Sequence, residues 1–217
     1  YEFTLFTKIL VTMHIGLWIF GALIVYGVEF NGFLADKGFI EGIYYSLFMS
    51  LTTRNAGFAT MNMTEMSTTI QVFFGVLMFI GSSPNSAGGG IRTTTILLTV
   101  LGFIAYARGR EQVIVGKRSI KAETVYKSLI VFIGATALIV TGLFIMSISE
   151  QGQWFGVKEI FFELASAFGT TGLSLGITGD LTIVGKLVLI IIMFIGRVGV
   201  LALLLMFKGN RQPSSIK

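Results

Sequence analysis

Three stretches of this 217-residue chain place polar residues among apolar ones, in compositions suited to handling an ion. The first is Thr53-Arg54-Asn55-Ala56-Gly57-Phe58. The second, Gly169-Thr170-Thr171-Gly172-Leu173-Ser174, follows the same plan, with hydrogen-bonding side chains running into a glycine. The third, Gly81-Ser82-Ser83-Pro84-Asn85-Ser86-Ala87-Gly88-Gly89-Gly90, interrupts a long apolar run, and Arg197 lies deep in another. Backbone carbonyls select an ion by replacing its water shell. Glycine allows the positive φ that turns successive carbonyls toward one axis. A short helix ending on such a loop points its negative end at a cation.

The elements that must hold these stretches are membrane elements. Hydrophobic residues make up 53% of the chain and charged residues 12%, with a mean hydropathy of +0.83. A soluble domain carries roughly twice that charge, so the composition excludes a soluble globular protein. There is no cysteine, which excludes disulfides. Residues 9–28, 127–148 and 183–207 read as spans, at roughly 20 residues each. Residues 67–106 are a long apolar segment broken by the third stretch. Residues 39–53 and 159–168 are apolar but too short to cross, and read as re-entrant helices.

The two halves repeat. Ala22-Leu23-Ile24-Val25-Tyr26-Gly27 recurs as Ala137-Leu138-Ile139-Val140-Thr141-Gly142, 115 positions on. Met78-Phe79-Ile80-Gly81 recurs as Met193-Phe194-Ile195-Gly196, and Gly57 maps to Gly172, at the same offset of 115. One offset for three landmarks indicates duplication. The expected fold is an all-α polytopic membrane protein with two tandem units of span, short helix, loop and span. The first unit takes residues 1–107 and a basic connector takes 108–121. The second takes 122–217, with an uninterrupted second span and a short tail.

The net charge of +5 raises the question of nucleic acid. Its distribution answers otherwise, because Arg108, Arg110, Lys117, Arg118, Lys121 and Lys127 gather in the connector and Lys208, Arg211 and Lys217 in the tail. That bias puts both on the cytoplasmic side, where they can meet anionic lipid. Eight of the eleven acids (Glu29, Asp36, Glu41, Glu65, Glu150, Glu159, Glu163 and Asp180) then fall on or near the outer side. They form either a vestibule that concentrates cations or simply the usual outward placement of acids.

The third stretch has no counterpart in the second unit. Its glycines cost roughly 1 kcal/mol each in a helix and Pro84 cannot continue one, so the helix opens there, toward water or protein. A phosphate-binding loop is excluded by the absence of a Gly-Lys-Ser/Thr ending. Arg197 costs at least about 2.5 kcal/mol at a helix centre and must face the pore or the opened loop, with Ser82 to Ser86 as its expected partners. Arg54 is expected to anchor its loop to backbone, Arg92 only to reach toward the interface, and His14, Trp18 and Trp154 to pack. To this point a potassium-channel-like pore and a broken-helix transporter both fit. The second would call for a coupling carboxylate inside the spans, and none is found there.

Thr53-Arg54-Asn55-Ala56-Gly57-Phe58, Gly88-Gly89-Gly90-Ile91-Arg92-Thr93-Thr94-Thr95 and Phe194-Ile195-Gly196-Arg197-Val198-Gly199 together resemble the Ktr/Trk/HKT superfamily of potassium transporters, in particular its bacterial Ktr-type membrane subunits. The resemblance covers essentially the whole chain. It implies four pore units of potassium-channel-like architecture, of which this sequence matches the third and fourth, so an N-terminal half of the same subunit is expected. Asn55, Ala56 and Gly57, with Thr170, Thr171 and Gly172, would supply two quarters of a selectivity filter binding potassium. Residues 81–92 would be a gating loop, in which Gly81, Ser82, Ser83, Gly88, Gly89 and Gly90 work with Arg197 from below. The resemblance also implies no enzymatic activity, a homodimer in a bacterial cell membrane, and a cytoplasmic regulatory ring that carries the nucleotide.

Overall fold

The computed structural model describes residues 4–202, apart from 55, 85, 111, 116 and 117. Helix α1, Leu5–Glu29, has 25 residues, and α5, Ala122–Ser149, has 28. At 1.5 Å per residue these reach roughly 37 and 42 Å, enough to cross a bilayer. Both are apolar enough to do so. Helices α2, Phe39–Thr52, and α6, Val157–Gly169, have 14 and 13 residues and are too short to span. The broken segment forms α3, Thr68–Phe79, and α4, Thr93–Ala107, and the last helix is α7, Ile183–Val198. Side chains such as Leu23, Phe103, Phe144, Ile183 and Phe194 are more than 60% exposed, as a lipid-facing surface requires.

Helix α6 is the hub. Its Phe162 and Ala165 join one apolar cluster with Val25, Phe74 and Met78, while Ile160, Leu164 and Phe168 join another with Ala135, Met146 and Ile192. Two glycines let neighbours approach its backbone. A Cβ on Gly196 of α7 would strike the Phe168 carbonyl, and one on Gly169 would strike the Met78 carbonyl of α3. The C-terminal ends of α3, α6 and α7 therefore converge, which is where the polar stretches meet.

Two features depart from the expected plan. The connector carries a hairpin of β1, Val113–Val115, and β2, Arg118–Ile120, paired antiparallel. The second span of the second unit is interrupted after all: α7 stops at Val198, Gly199 takes φ 89° and ψ 135°, and helix resumes at 200. Only glycine adopts that conformation without steric cost. The tail, with Lys208, Arg211 and Lys217, lies outside the described residues.

The duplication runs deeper than the sequence match. Glu29 closes α1 and accepts from the Ser67 N–H (2.9 Å) and hydroxyl (2.5 Å), Ser67 being the N-cap of α3. Glu150 follows α5 and accepts from the Thr182 N–H (3.1 Å) and hydroxyl (2.6 Å), Thr182 being the N-cap of α7. Each carboxylate thus ties the end of one helix to the start of another. Glu150→Ala would leave the half-buried donors of Thr182 without their acceptor, at about 1 kcal/mol apiece. The expected result is a melting temperature several degrees lower in detergent. A variant melting with the parent would show that the tie contributes nothing.

Candidate functional site: three converging loops

The first loop leaves α2 in a tight turn. The Thr52 carbonyl accepts from the N–H groups of Ala56 (3.2 Å) and Gly57 (3.1 Å), and the Thr52 hydroxyl donates to the Phe58 carbonyl (2.7 Å). Gly57 lies at φ 70°. Ala56 is exposed and Gly57 half-buried, whereas Asn55 lies outside the described residues. Arg54 is buried and donates from Nη1 to the His14 carbonyl (3.3 Å). It does anchor the loop to backbone, but to that of α1. Its Nε and Nη2 have no hydrogen-bond partner among the described residues.

The second loop leaves α6 differently. Thr170 takes φ 54°, a conformation rare for a β-branched residue and a mark of local strain. The Thr171 N–H donates to the Ser166 carbonyl (2.9 Å), and the Gly172 N–H to the Ser166 hydroxyl (3.2 Å). Peptides here are trans, so N–H and C=O point in opposite directions within each peptide plane. The Thr171 carbonyl consequently faces away from α6. It faces the first loop, since a Cβ added to Gly57 would strike it and would come within 3.7 Å of the Gly172 Cα. The two glycine-bearing loops are therefore in backbone contact.

The third loop, residues 80–92, folds on itself. Ser82 N–H donates to the Gly89 carbonyl (3.3 Å), Ile91 N–H to Phe79 (3.2 Å) and Thr93 N–H to Ser82 (3.2 Å). Gly81 packs against Gly89 and Gly90 so closely that a Cβ would meet backbone. The loop hangs from the second one, because the Gly89 N–H donates to the Thr170 hydroxyl (2.8 Å). Gly81, Ser82 and Gly89 are buried, and Ser83, Gly88 and Gly90 half-buried.

Two arginines hold this loop, with roles other than those expected. Arg197 donates to the Ala87 carbonyl, one residue past the expected Ser82 to Ser86. The latter belong to Arg92, whose Nη1 reaches the Ser82 hydroxyl (3.1 Å) and the carbonyls of Ser83 (3.3 Å), Ser86 (3.4 Å) and Gly88 (3.0 Å). A signal for Arg92 was present in the sequence. It is the N-cap of α4, where a positive charge opposes the helix dipole and so needs carbonyls nearby. The acids also differ from expectation: Glu29, Glu150 and Glu163 are buried and engaged by N–H and O–H donors. Trp18 donates to the Leu47 carbonyl (2.9 Å) and Trp154 to Asp180 (3.0 Å), which makes both of them ties between elements.

A cleft of about 690 Å³ runs from Glu163 and Ser166 past Thr170 and Gly172 to Met193 and Arg197. It joins the second loop to the arginine below.

Helices of membrane-crossing length, with short helices delivering polar loops between them, define a multi-pass membrane protein. Residues 38–216 match the TrkH family, described as cation transport protein, and the chain belongs to that family. It is 45% identical over 204 residues to Ktr system potassium uptake protein D of Bacillus subtilis, covering 94% of this chain and 45% of that protein. It is 35% identical over 214 residues to Ktr system potassium uptake protein B of the same organism, covering 98% and 47%. It is 34% identical over 220 residues to potassium/sodium uptake protein NtpJ of Enterococcus hirae, covering 100% and 49%. The chain thus spans about half the length of these curated relatives. The crystal structure of the potassium transporter TrkH from Vibrio parahaemolyticus has the same fold, with a TM-score of 0.75 at 20% identity over 91% of this chain and 43% of that one. These relatives are bacterial proteins named for potassium uptake or transport, and this chain, with two helices long and apolar enough to cross a bilayer, is a membrane protein.

Proposed function

We propose that this chain forms half of a potassium-conducting path across a bacterial cell membrane. In this reading Asn55, Ala56, Gly57, Thr170, Thr171 and Gly172 contribute to a carbonyl-lined filter. Residues 81–92 form a gate beneath it, clasped by Arg92 and Arg197. What carries the reading is the contact of Gly57 with the Thr171 carbonyl directly above a loop suspended from Thr170. Two equivalent loops meet through backbone, and the element present in only one unit lies against the second of them. The Thr171 hydroxyl, buried without a hydrogen-bond partner among the described residues, adds a free oxygen at the same place.

The relatives' names supply the ion, since they are potassium uptake proteins and a potassium transporter. The rest of the filter then comes from an N-terminal half of the same subunit. A homodimer seated on a cytoplasmic ring of nucleotide-binding subunits completes the reading. The exposed Arg108, Arg110 and Lys121 of the connector are surfaces for that ring. The full-length protein in liposomes is expected to pass potassium faster than sodium. Equal fluxes, or none above empty liposomes, would overturn the assignment.

A further inference from the structure

Glu163 is a buried carboxylate to which the proposed path assigns no task. It is 5% exposed, lines the cleft beside the second loop, and has no ion-pair partner among the described residues. All its partners are donors: the Ser174 hydroxyl, the Leu175 N–H (3.1 Å) and the Thr178 hydroxyl (3.0 Å). A carboxylate accepts on both oxygens, so one side chain gathers three points of the segment that follows Gly172. The segment is tied within itself as well, by the Gly176 N–H donating to the Ser174 hydroxyl (2.9 Å).

Ser166 lies three residues after Glu163, on the same face of α6, and holds the Gly172 N–H. The two side chains act on peptides three apart along the loop, 171–172 and 174–175. An amide drawn toward α6 turns the preceding carbonyl away from it. Ser166 does this for the Thr171 carbonyl, and Glu163, through the Leu175 N–H, for the Ser174 carbonyl. The first loop has no such brace, because the positions 115 residues earlier are Phe48 and Leu51.

We propose that Glu163 is a positioning residue for ion selection: with Ser166 it fixes residues 172–175 against α6 and so sets the spacing of the carbonyls on their far side. The inference rests on the filter reading above. It assigns Glu163 no contact with the ion and no proton-coupling step, since its oxygens are already engaged by the chain.

The test uses the full-length protein in liposomes, reading the potassium-to-sodium flux ratio alongside the amount of folded protein. Glu163→Leu fills similar space and accepts nothing. It is expected to lower the ratio by about tenfold, the size of effect one hydrogen bond produces, while potassium still passes. Glu163→Gln keeps one oxygen for Ser174 and Leu175 and turns its amide to the Thr178 oxygen, so it is expected to restore the ratio. If Glu163→Leu does not fold, Ser174→Ala combined with Thr178→Val spares the carboxylate and the Leu175 bond, and is expected to shift the ratio in the same direction by less. A folded variant with an unchanged ratio, where Gly57→Ala does change it, overturns the brace and leaves the filter standing. If Gly57→Ala also leaves the ratio unchanged, the filter reading fails and the brace falls with it. A Gln variant as impaired as Leu would mean that charge, not acceptor geometry, is what the site requires, and that too overturns the proposal.

Discussion

Gly57→Ala is expected to abolish potassium selectivity, and to do so more completely than Gly172→Ala. Both glycines lie at positive φ, 70° and 95°, so alanine at either position strains the backbone by about 1–2 kcal/mol. The surroundings differ. A Cβ on Gly57 would run into the Thr171 carbonyl, whereas one on Gly172 meets nothing within 4 Å. At Gly57 the obstacle is backbone on both sides. No side chain can rotate out of the way, and the clash is relieved only by parting the two loops or by turning the Thr171 peptide. Either movement displaces a carbonyl assigned to the ion. Turning that peptide would also break the bond between the Gly172 N–H and Ser166 (3.2 Å). Flux ratios of potassium over sodium in liposomes would rank the variants. Equal losses at the two positions would show that strain, and not contact between loops, is what selectivity depends on.

The reach of the sequence is clearest where local chemistry acts alone. Hydropathy and length place α1, α2, α5 and α6 nearly as found, and the single offset from Gly57 to Gly172 joins two loops that each follow a short helix and hold a glycine at positive φ. Gly88, Gly89 and Gly90 with Pro84 mark the break between α3 and α4, because those residues cannot extend a helix cheaply. What was not legible depends on contacts between distant elements. Glu29 and Glu150 perform the same tie but are 121 positions apart, not 115, so a fixed offset passes over them. Glu163 looks like one more outward acid until its donors from residues 174–178 are known. Gly199 sits in an apolar run where its left-handed turn leaves no trace in composition. Ser82 to Ser86 are expected of Arg197 and nothing but an interfacial reach of Arg92, because cost at membrane depth singles out Arg197 and says nothing about which carbonyls lie within reach.

Arg92→Ala is expected to raise basal potassium flux, and by more than Arg197→Ala. Arg92 spans the third loop from within, from Ser82 near its start to Gly88 near its glycine run. Arg197 holds the loop, among the described residues, at the Ala87 carbonyl. A hydrogen bond from a charged group contributes about 1.5–3 kcal/mol. Losing even one such bond shifts a closed-to-open equilibrium by about tenfold or more, and the two hydrogens of Arg92 Nη1 are shared among four acceptors of the loop. Its removal does not simply melt the loop, because the backbone bonds from Ser82 to Gly89 and from Ile91 to Phe79 survive. The suspension of Gly89 from Thr170 survives too. The loop is then free to swing about those points, and Arg92→Lys, with a cation but no planar fork, is expected to lie between parent and alanine. Uptake into liposomes without nucleotide or partner subunits measures this directly. Flux at or below the parent's in Arg92→Ala, alongside a rise in Arg197→Ala, would return the clasp to Arg197 alone. Thr170→Val supplies an independent check on the same loop, since it keeps the β-branched shape at φ 54° and removes only the oxygen from which Gly89 hangs. If the loop is a gate held from both sides, that variant raises flux as well, and combining it with Arg92→Ala raises flux further than either change alone.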